Sequence, residues 1–145
     1  MIYTDMTIQA MKTAYKAHEG QLDRSGVPYI FHPIHLAEQM DDEVSCTVAL
    51  LHDVVEDTKV TIEELSTLFP VEVIEAVRLL THDSAVPYND YVRNVKDNPI
   101  AKKVKLADLA HNSDEVRSRA AGCSEKQILR WRKKYGEAKK ILLEE

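Results

Sequence analysis

The stretch that decides the fold is residues 49–58, which read Ala-Leu-Leu-His-Asp-Val-Val-Glu-Asp-Thr. Two polar residues, His52 and Asp53, stand here between two pairs of apolar residues. Apolar positions recur upstream at helical spacing and predict one helix over residues 42–56, apolar on most sides and central in the fold. Such a helix carries His52 and Asp53 into the interior, where unpartnered polar groups are costly. Both side chains therefore need partners inside the protein.

Helical spacing of apolar residues recurs on both sides of this stretch. We predict further helices over residues 4–19, from about Phe31, over 71–81, 88–96 and 100–111, and from Ser124 onward. The spacing of Thr61 and Glu64 predicts a capping box that opens a short helix ending at Pro70. No strand-like alternation extends beyond a few residues. We expect an all-α fold in which residues 1–145 form a single domain.

Composition excludes several classes of protein. Hydrophobic residues make up 44% and charged residues 30% of the 145 positions, which is ordinary for a globular protein. The net charge of −5 does not favour binding to nucleic acid. No apolar run approaches the roughly 18 residues of a membrane span, and the first residues lack a secretory signal pattern. We therefore expect no membrane partner. With two cysteines and no CxxC spacing, we expect a reduced cytoplasmic setting.

Side chains of the metal-ligand type occur at four places, each inside an otherwise apolar helical stretch: His32, His52, Asp53 and Asp108. A local hydrogen bond or a helix cap would explain any one of them alone. A divalent metal would satisfy several buried imidazoles and carboxylates together. Mixed ligation of this kind suits Mn, Fe or Zn better than Ca or Mg.

Two acids follow the His-Asp pair at helical spacing. Glu56 lies four residues after His52, and Asp57 lies four residues after Asp53, so all four can line one side of a cavity. A bound metal lowers the pKa of its water, and a neighbouring carboxylate can orient that water and move its proton. We predict this water-handling role for Glu56 and Asp57.

Four stretches occur in an order that resembles one enzyme superfamily: residues 17–21, 25–33, 49–58 and 104–112. Together they resemble the HD-domain metal-dependent phosphohydrolases. More narrowly, they are similar to the hydrolase domain of bacterial Rel/SpoT (p)ppGpp enzymes and its small stand-alone relatives. The resemblance covers about residues 4–112.

The resemblance implies an all-helical HD-domain bundle that holds one metal, commonly Mn²⁺. It implies that the metal ligands are His32, His52, Asp53 and Asp108, and that Glu56 and Asp57 are the water-handling acids. The reaction it implies removes pyrophosphate from the ribose 3′ position of (p)ppGpp and leaves GDP or GTP. It also implies a small-molecule nucleotide as the substrate.

This sequence departs from the alarmone-hydrolase pattern around the nucleotide. The pattern usually has two basic residues before the Ser-Gly turn, where this chain has Asp23 and Arg24. It usually has Arg after the last metal Asp, and a Thr further on, where this chain has Leu109 and Glu115. Two alternatives therefore stay open: a phosphohydrolase for another nucleotide, such as a nucleoside monophosphate, and a non-catalytic nucleotide sensor.

Four residues are candidates for binding the substrate: Arg24, Ser25, Lys105 and Asn112. Arg24 could equally be a solvated loop charge, Lys105 part of an exposed basic face, and Asn112 a buried amide. The basic residues of the last helix are interpreted as a solvated face. The apolar stripe of that helix packs on the bundle or on a second subunit, so a homo-oligomer is left open; its members are Ile128, Trp131, Tyr135, Ala138 and Leu142.

Overall fold

The computed structural model describes residues 1–144. Its helices are α1 (Asp5–Ala17), α2 (Phe31–Glu38), α3 (Glu43–Leu51), α4 (Val54–Asp57), α5 (Ile62–Ser66), α6 (Val71–Leu80), α7 (Tyr88–Lys96), α8 (Pro99–Asn112), α9 (Glu115–Ala120) and α10 (Glu125–Leu143). Over these 144 residues the only β-type pairing is an isolated bridge between Leu22 and Pro28. The all-α prediction is confirmed.

Helix α3 lies at the centre of the bundle. Every residue from Ser45 to Leu51 is buried, and the helix packs against α1, α2, α6 and α8. The side chain of Asp42 caps it by accepting a hydrogen bond from the amide of Ser45 at 2.8 Å. A helix that is apolar on nearly all faces can only be stable when neighbours surround it, and the predicted central position is confirmed.

The prediction of one continuous helix over residues 42–56 is wrong. Helix α3 ends at Leu51, and the single turn α4 follows after His52 and Asp53. The cause is local: Nδ1 of His52 lies 2.6 Å from the carbonyl oxygen of Ala49, which would accept from the amide of Asp53 in a continuous helix. The break falls at the two residues that enter the functional cluster, and Asp53 is the one whose backbone leaves the helical conformation.

Most other boundaries agree with the sequence pattern. Helix α2 begins at Phe31, and Thr61 caps α5 by accepting from the amide of Glu64 at 3.1 Å. Helix α9 was not predicted, although Asp114 caps it by accepting from the amide of Arg117 at 3.2 Å. In the stripe of α10, Ile128, Ala138 and Leu142 are buried, whereas Trp131 and Tyr135 are half-buried. Across residues 1–144, no helix combines the length and apolar character that crossing a membrane requires.

Candidate functional site

The four predicted metal-ligand residues converge from two helices, α2 and α8, and from the break after α3. Nε2 of His32 lies 2.9 Å from Oδ1 of Asp108 and 3.8 Å from Oδ2 of Asp53. Nε2 of His52 lies 2.9 Å from Oδ2 of Asp53 and 3.7 Å from Oδ1 of Asp108. We call these four residues the His-Asp cluster. Two imidazole nitrogens and two carboxylate oxygens therefore face one small volume.

The backbone fixes the orientation of His52. Its Nδ1 donates to the carbonyl of Ala49 at 2.6 Å, which leaves the lone pair of Nε2 facing Asp53. That Nε2 atom is buried and has no hydrogen-bond partner of good geometry within residues 1–144. A buried nitrogen without a partner is costly, and a cation in the cluster would satisfy it.

His32 is oriented by a third histidine. Nδ1 of His32 lies 2.7 Å from Nδ1 of His111, and the two rings stack at a centroid distance of 4.9 Å. Burial and the positive charge of Arg117 lower the pKa of His111 to about 4, so its ring is neutral near pH 7 and can accept a hydrogen bond. A hydrogen on Nδ1 of His32 leaves the lone pair of its Nε2 directed at the cluster.

The two carboxylates of the cluster are also held by neighbours. Nζ of Lys105 donates to Oδ2 of Asp108 at 2.8 Å, and Nδ2 of Asn112 donates to Oδ1 of Asp108 at 3.1 Å. The hydroxyl of Tyr29 donates to Oδ2 of Asp53. Lys105 is buried, so its ammonium faces the cluster rather than solvent. These contacts fix both carboxylates without filling the space between them.

The cluster is electrostatically suited to a cation. Although burial opposes its ionisation, the ammonium of Lys105 and the two histidines hold the pKa of Asp108 well below its usual range. Although burial disfavours its protonation, Asp53 and Asp108 raise the pKa of His52. The carboxylates thus create a site where positive charge is stabilised, and this donor set fits a divalent metal such as Mn, Fe or Zn.

Glu56 and Asp57 lie beside the cluster, on α4. Carboxylate oxygens of Asp53, Glu56 and Asp57 lie within 4.8 Å of one another. The backbone amide of His82 donates to Oε1 of Glu56 at 2.6 Å and fixes that side chain. Burial and the charges of Asp53 and Glu56 raise the pKa of Asp57 to about 6. Burial likewise raises the pKa of Glu56.

A cleft of about 230 Å³ opens on the cluster, and we call it the metal cleft. Its lining includes three cluster residues, both acids of α4, and two of the predicted substrate-binding residues, Lys105 and Asn112. The lining also includes aromatic rings and a second lysine: Tyr88, Tyr91, Tyr135 and Lys134. Acidic, cationic and aromatic groups thus line one space that is large enough for part of a nucleotide.

Arg24 and Ser25 do not line this cleft. The guanidinium of Arg24 stacks on the indole of Trp131, with 4.0 Å between its central carbon and the ring centroid. The loop is instead organised by Asp23, whose Oδ1 accepts from the amides of Ser25 at 2.8 Å and Val27 at 3.1 Å.

The residues that depart from the alarmone-hydrolase pattern, Asp23, Leu109 and Glu115, all make contacts within the protein. Oδ2 of Asp23 pairs with Arg117 at 3.3 Å. Glu115 pairs with Arg132 at 2.6 Å and so joins α9 to α10. Leu109 is buried in the core. The two ion pairs thus connect the loop to α9 and α9 to α10.

Sequence reasoning missed three residues that shape the site. Tyr29 lies within the quoted stretch 25–33, so its position beside His32 was a usable signal. His111 belongs to the quoted stretch 104–112, and it lies directly behind His32. Lys134 carried no signal, because one lysine among many on an amphipathic helix looks like any solvated charge.

Comparisons with known proteins give consistent results. A family profile described as HD domain matches residues 10–105. The GTP pyrophosphokinase of Myxococcus xanthus is 37% identical over 132 residues, which are 76% of this chain and 17% of that protein. This chain therefore spans about a sixth of the length of that relative.

Shorter relatives are covered more fully. The guanosine-3′,5′-bis(diphosphate) 3′-pyrophosphohydrolase MESH1 of Danio rerio is 37% identical over 122 residues, covering 75% of this chain and 68% of that protein. The human MESH1 is 34% identical over 135 residues, which cover 83% of this chain and 75% of the human protein. A solved structure of a metazoan SpoT ortholog that hydrolyses ppGpp superposes with a TM-score of 0.81 at 24% identity, over 99% of this chain and 88% of that one. That superposition supports the helical fold.

Proposed function

The chain belongs to the HD domain family, and on that premise we propose that it is a metal-dependent phosphohydrolase that removes pyrophosphate from the ribose 3′ position of (p)ppGpp. The relatives named above as 3′-pyrophosphohydrolases support this substrate. A Mn²⁺ ion, a nucleotide substrate and a cytoplasmic setting are parts of the same proposal.

The observation that carries the proposal is the His-Asp cluster. Four donor atoms from three separate parts of the chain lie 2.9 to 3.8 Å from their neighbours in the cluster. One of them, Nε2 of His52, is buried without a hydrogen-bond partner within residues 1–144. Such an arrangement is costly in a metal-free protein and typical of a divalent metal site.

In this proposal His32, His52, Asp53 and Asp108 hold the metal. When bound, the ion supplies Lewis acidity and a water molecule of lowered pKa. Lys105 and Asn112 act on Asp108, because both donate to its carboxylate. Their contacts hold that carboxylate in place while its charge is shared with the ion.

Glu56 and Asp57 move the protons. Glu56 is held by the amide of His82 and faces the cleft, so it is placed to accept a proton from the attacking water. Burial, together with the charges of Asp53 and Glu56, raises the pKa of Asp57, and a carboxyl group with a raised pKa suits a proton donor. The two acids therefore divide the roles of base and acid.

The overall reaction consumes one water. The water oxygen forms a bond to the phosphorus attached to the ribose 3′ oxygen, and the bond between that phosphorus and the 3′ oxygen breaks. One proton from the water ends on the 3′ oxygen. The products are pyrophosphate and GDP from ppGpp, or pyrophosphate and GTP from pppGpp.

Product analysis tests the proposal. The Mn²⁺-loaded chain is incubated with ppGpp and, in parallel, with a panel of nucleoside mono-, di- and triphosphates. We expect GDP and pyrophosphate from ppGpp alone. Release of inorganic phosphate from another nucleotide, without turnover of ppGpp, would contradict ppGpp as the substrate. It would still be consistent with metal-dependent phosphate hydrolysis.

One observation favours a second candidate, a phosphohydrolase for another nucleotide. Arg24 stacks on Trp131 and does not line the metal cleft, so this loop offers no free cation to an alarmone there. Nucleoside monophosphates in the same panel test this candidate. Tight nucleotide binding without turnover of any member would instead support the non-catalytic sensor.

A further inference from the structure

A second, basic groove borders the metal cleft. That groove has a volume of about 410 Å³ and shares Tyr88 and Lys134 with the metal cleft. We call it the basic groove; its lining residues are Pro87, Tyr88, Asn89, Arg130, Lys133, Lys134 and Glu137. One aromatic ring and one ammonium therefore line both spaces.

The cations of the basic groove lie on one face of α10. Arg130, Lys133 and Lys134 are separated by three and four residues, which places them side by side on a helix. They face a single acid of the groove, Glu137. The groove is thus locally positive, although the whole chain carries a net charge of −5.

Lys134 stands at the junction and is available to a ligand. Its Nζ lies 4.3 Å from the ring centroid of Tyr88 and 5.8 Å from that of Tyr135. It takes part in no ion pair among the residues the structure describes. Lys105, the other lysine of the metal cleft, is already paired with Asp108 at 2.8 Å. An anion reaching the junction therefore meets Lys134 as its free cation.

We propose that the basic groove binds a second phosphate group of the substrate, one that is separated from the scissile group by the nucleoside. The scissile phosphate lies at the His-Asp cluster, Tyr88 lies between the two ends, and Lys134 contacts the distal phosphate. In (p)ppGpp, that distal group is the phosphate chain on the ribose 5′ position. This inference rests on the proposed function and deepens it.

The physical reason is the distribution of charge along the two spaces. At the metal end, Glu56, Asp57 and the cluster carboxylates outnumber the ammonium of Lys105, so a bound metal there would favour the binding of an anion. The basic groove needs no metal to attract phosphate. A substrate with phosphate on one ribose position can bind to the metal cleft or to the basic groove, but not to both. A substrate with phosphate on two ribose positions can bind to both at once.

The test is the substitution Lys134→Ala in the Mn²⁺-loaded chain. For ppGpp we expect KM to rise roughly tenfold while kcat changes little, because the lost contact is the same in the ground and transition states. For guanosine carrying only a 3′-diphosphate, we expect the variant and the wild type to have the same KM. Lys134→Arg should restore the KM for ppGpp.

The matched control is Lys140→Ala, which removes the same charge from an exposed position of α10 that lines neither space. It should leave both substrates unaffected. An equal rise in KM for both substrates with Lys134→Ala, or an equal rise with the control, would overturn the proposal.

A binding measurement separates this inference from the proposed function. GDP, which carries only a 5′-diphosphate, is titrated calorimetrically into the Mn²⁺-loaded wild type and the Lys134→Ala variant. We expect roughly tenfold weaker binding to the variant, whether or not the chain hydrolyses ppGpp. Equal affinities would overturn the groove as a phosphate site while leaving the hydrolase proposal intact.

Discussion

The His-Asp cluster and the surface contacts of the last two helices show two different uses of charged residues. In the cluster, the side chains are buried or nearly so and held by partners from distant helices. On the surface, we define a C-terminal surface cluster by its charged and aromatic members: Asp23, Arg24, Glu115, Arg117, Trp131 and Arg132. Its ion pairs are partly exposed, with 54% of the Arg132 side chain accessible. Burial makes each contact of the first group costly to lose, whereas water replaces much of each contact in the second.

The largest effect should follow a change in the His-Asp cluster. With His52→Ala we expect loss of bound metal and a fall in turnover of at least about a thousandfold, because the ion's stabilisation of the transition state is lost. Asp53→Asn, which conserves shape, keeps the test valid if the first variant is unstable. Metal content by mass spectrometry and turnover of ppGpp are the two measurements. Turnover that survives either change would contradict the mechanism.

Glu56→Gln separates proton transfer from metal binding. We expect unchanged metal content and a fall in kcat of about 10²- to 10⁴-fold, the range of general acid–base catalysis. The control is Glu63→Gln, an exposed acid of α5. An unchanged kcat in the first variant would remove Glu56 from the proposed role.

Buried and exposed apolar residues should likewise differ in how much they contribute to the free energy of unfolding. Leu51→Ala, in the fully buried part of α3, should lower the free energy of unfolding by about 2–5 kcal/mol because it leaves a cavity. Leu129→Ala, on the exposed face of α10, should change it by less than about 0.5 kcal/mol. Urea denaturation of both variants measures these changes. Similar changes in the free energy of unfolding for the two variants would contradict the expected difference between the buried and the exposed leucine.

His111 should affect the metal without contacting it. We expect His111→Ala to weaken Mn²⁺ binding by about 10- to 100-fold, because His32 loses the partner that fixes its ring. His35→Ala removes a ring that stacks on His111 at 4.2 Å and should change the affinity far less. Calorimetric titration of Mn²⁺ measures both. An affinity unchanged by His111→Ala would show that His32 needs no such partner.

The smallest effect should come from the C-terminal surface cluster. A double-mutant cycle with Asp23→Ala and Arg117→Ala should give a coupling energy of about 1 kcal/mol or less, decreasing with added salt. Asp23→Asn retains an acceptor for the amides of Ser25 and Val27 and should cost less than Asp23→Ala. A coupling energy several times larger would show that this ion pair is as strong as the buried contacts of the His-Asp cluster, and would contradict the comparison.

The sequence predicted the residues of the His-Asp cluster because burying four polar side chains leaves a recognisable pattern. His52 and Asp53 interrupt an apolar helix, and such interruptions are uncommon unless the groups find partners. The break after Leu51 was not predictable from periodicity, since it depends on the ring of His52 reaching the carbonyl of Ala49. A side chain that competes with the backbone leaves the spacing of apolar residues unchanged.

The other side of the metal cleft was less predictable for the same physical reason. Lys134 and Arg24 are exposed, and exposed cations occur on almost every helix and loop. Only the packing of α10 against α7 and α8 brings Lys134 beside Tyr88. Helix α9 was missed because its six residues are too few for a periodic pattern, although Asp114 gave a capping signal.

The contact between His32 and Asp108 has a further consequence for the topology of the chain. These two residues meet at 2.9 Å although 76 positions separate them in sequence. An ion bound between them acts as a reversible crosslink that closes a long loop, much as a disulfide does in secreted proteins. At one hundred times its dissociation constant, such an ion adds about 2.7 kcal/mol to the stability of the native chain. The melting temperature of this protein should therefore report the free metal concentration around it.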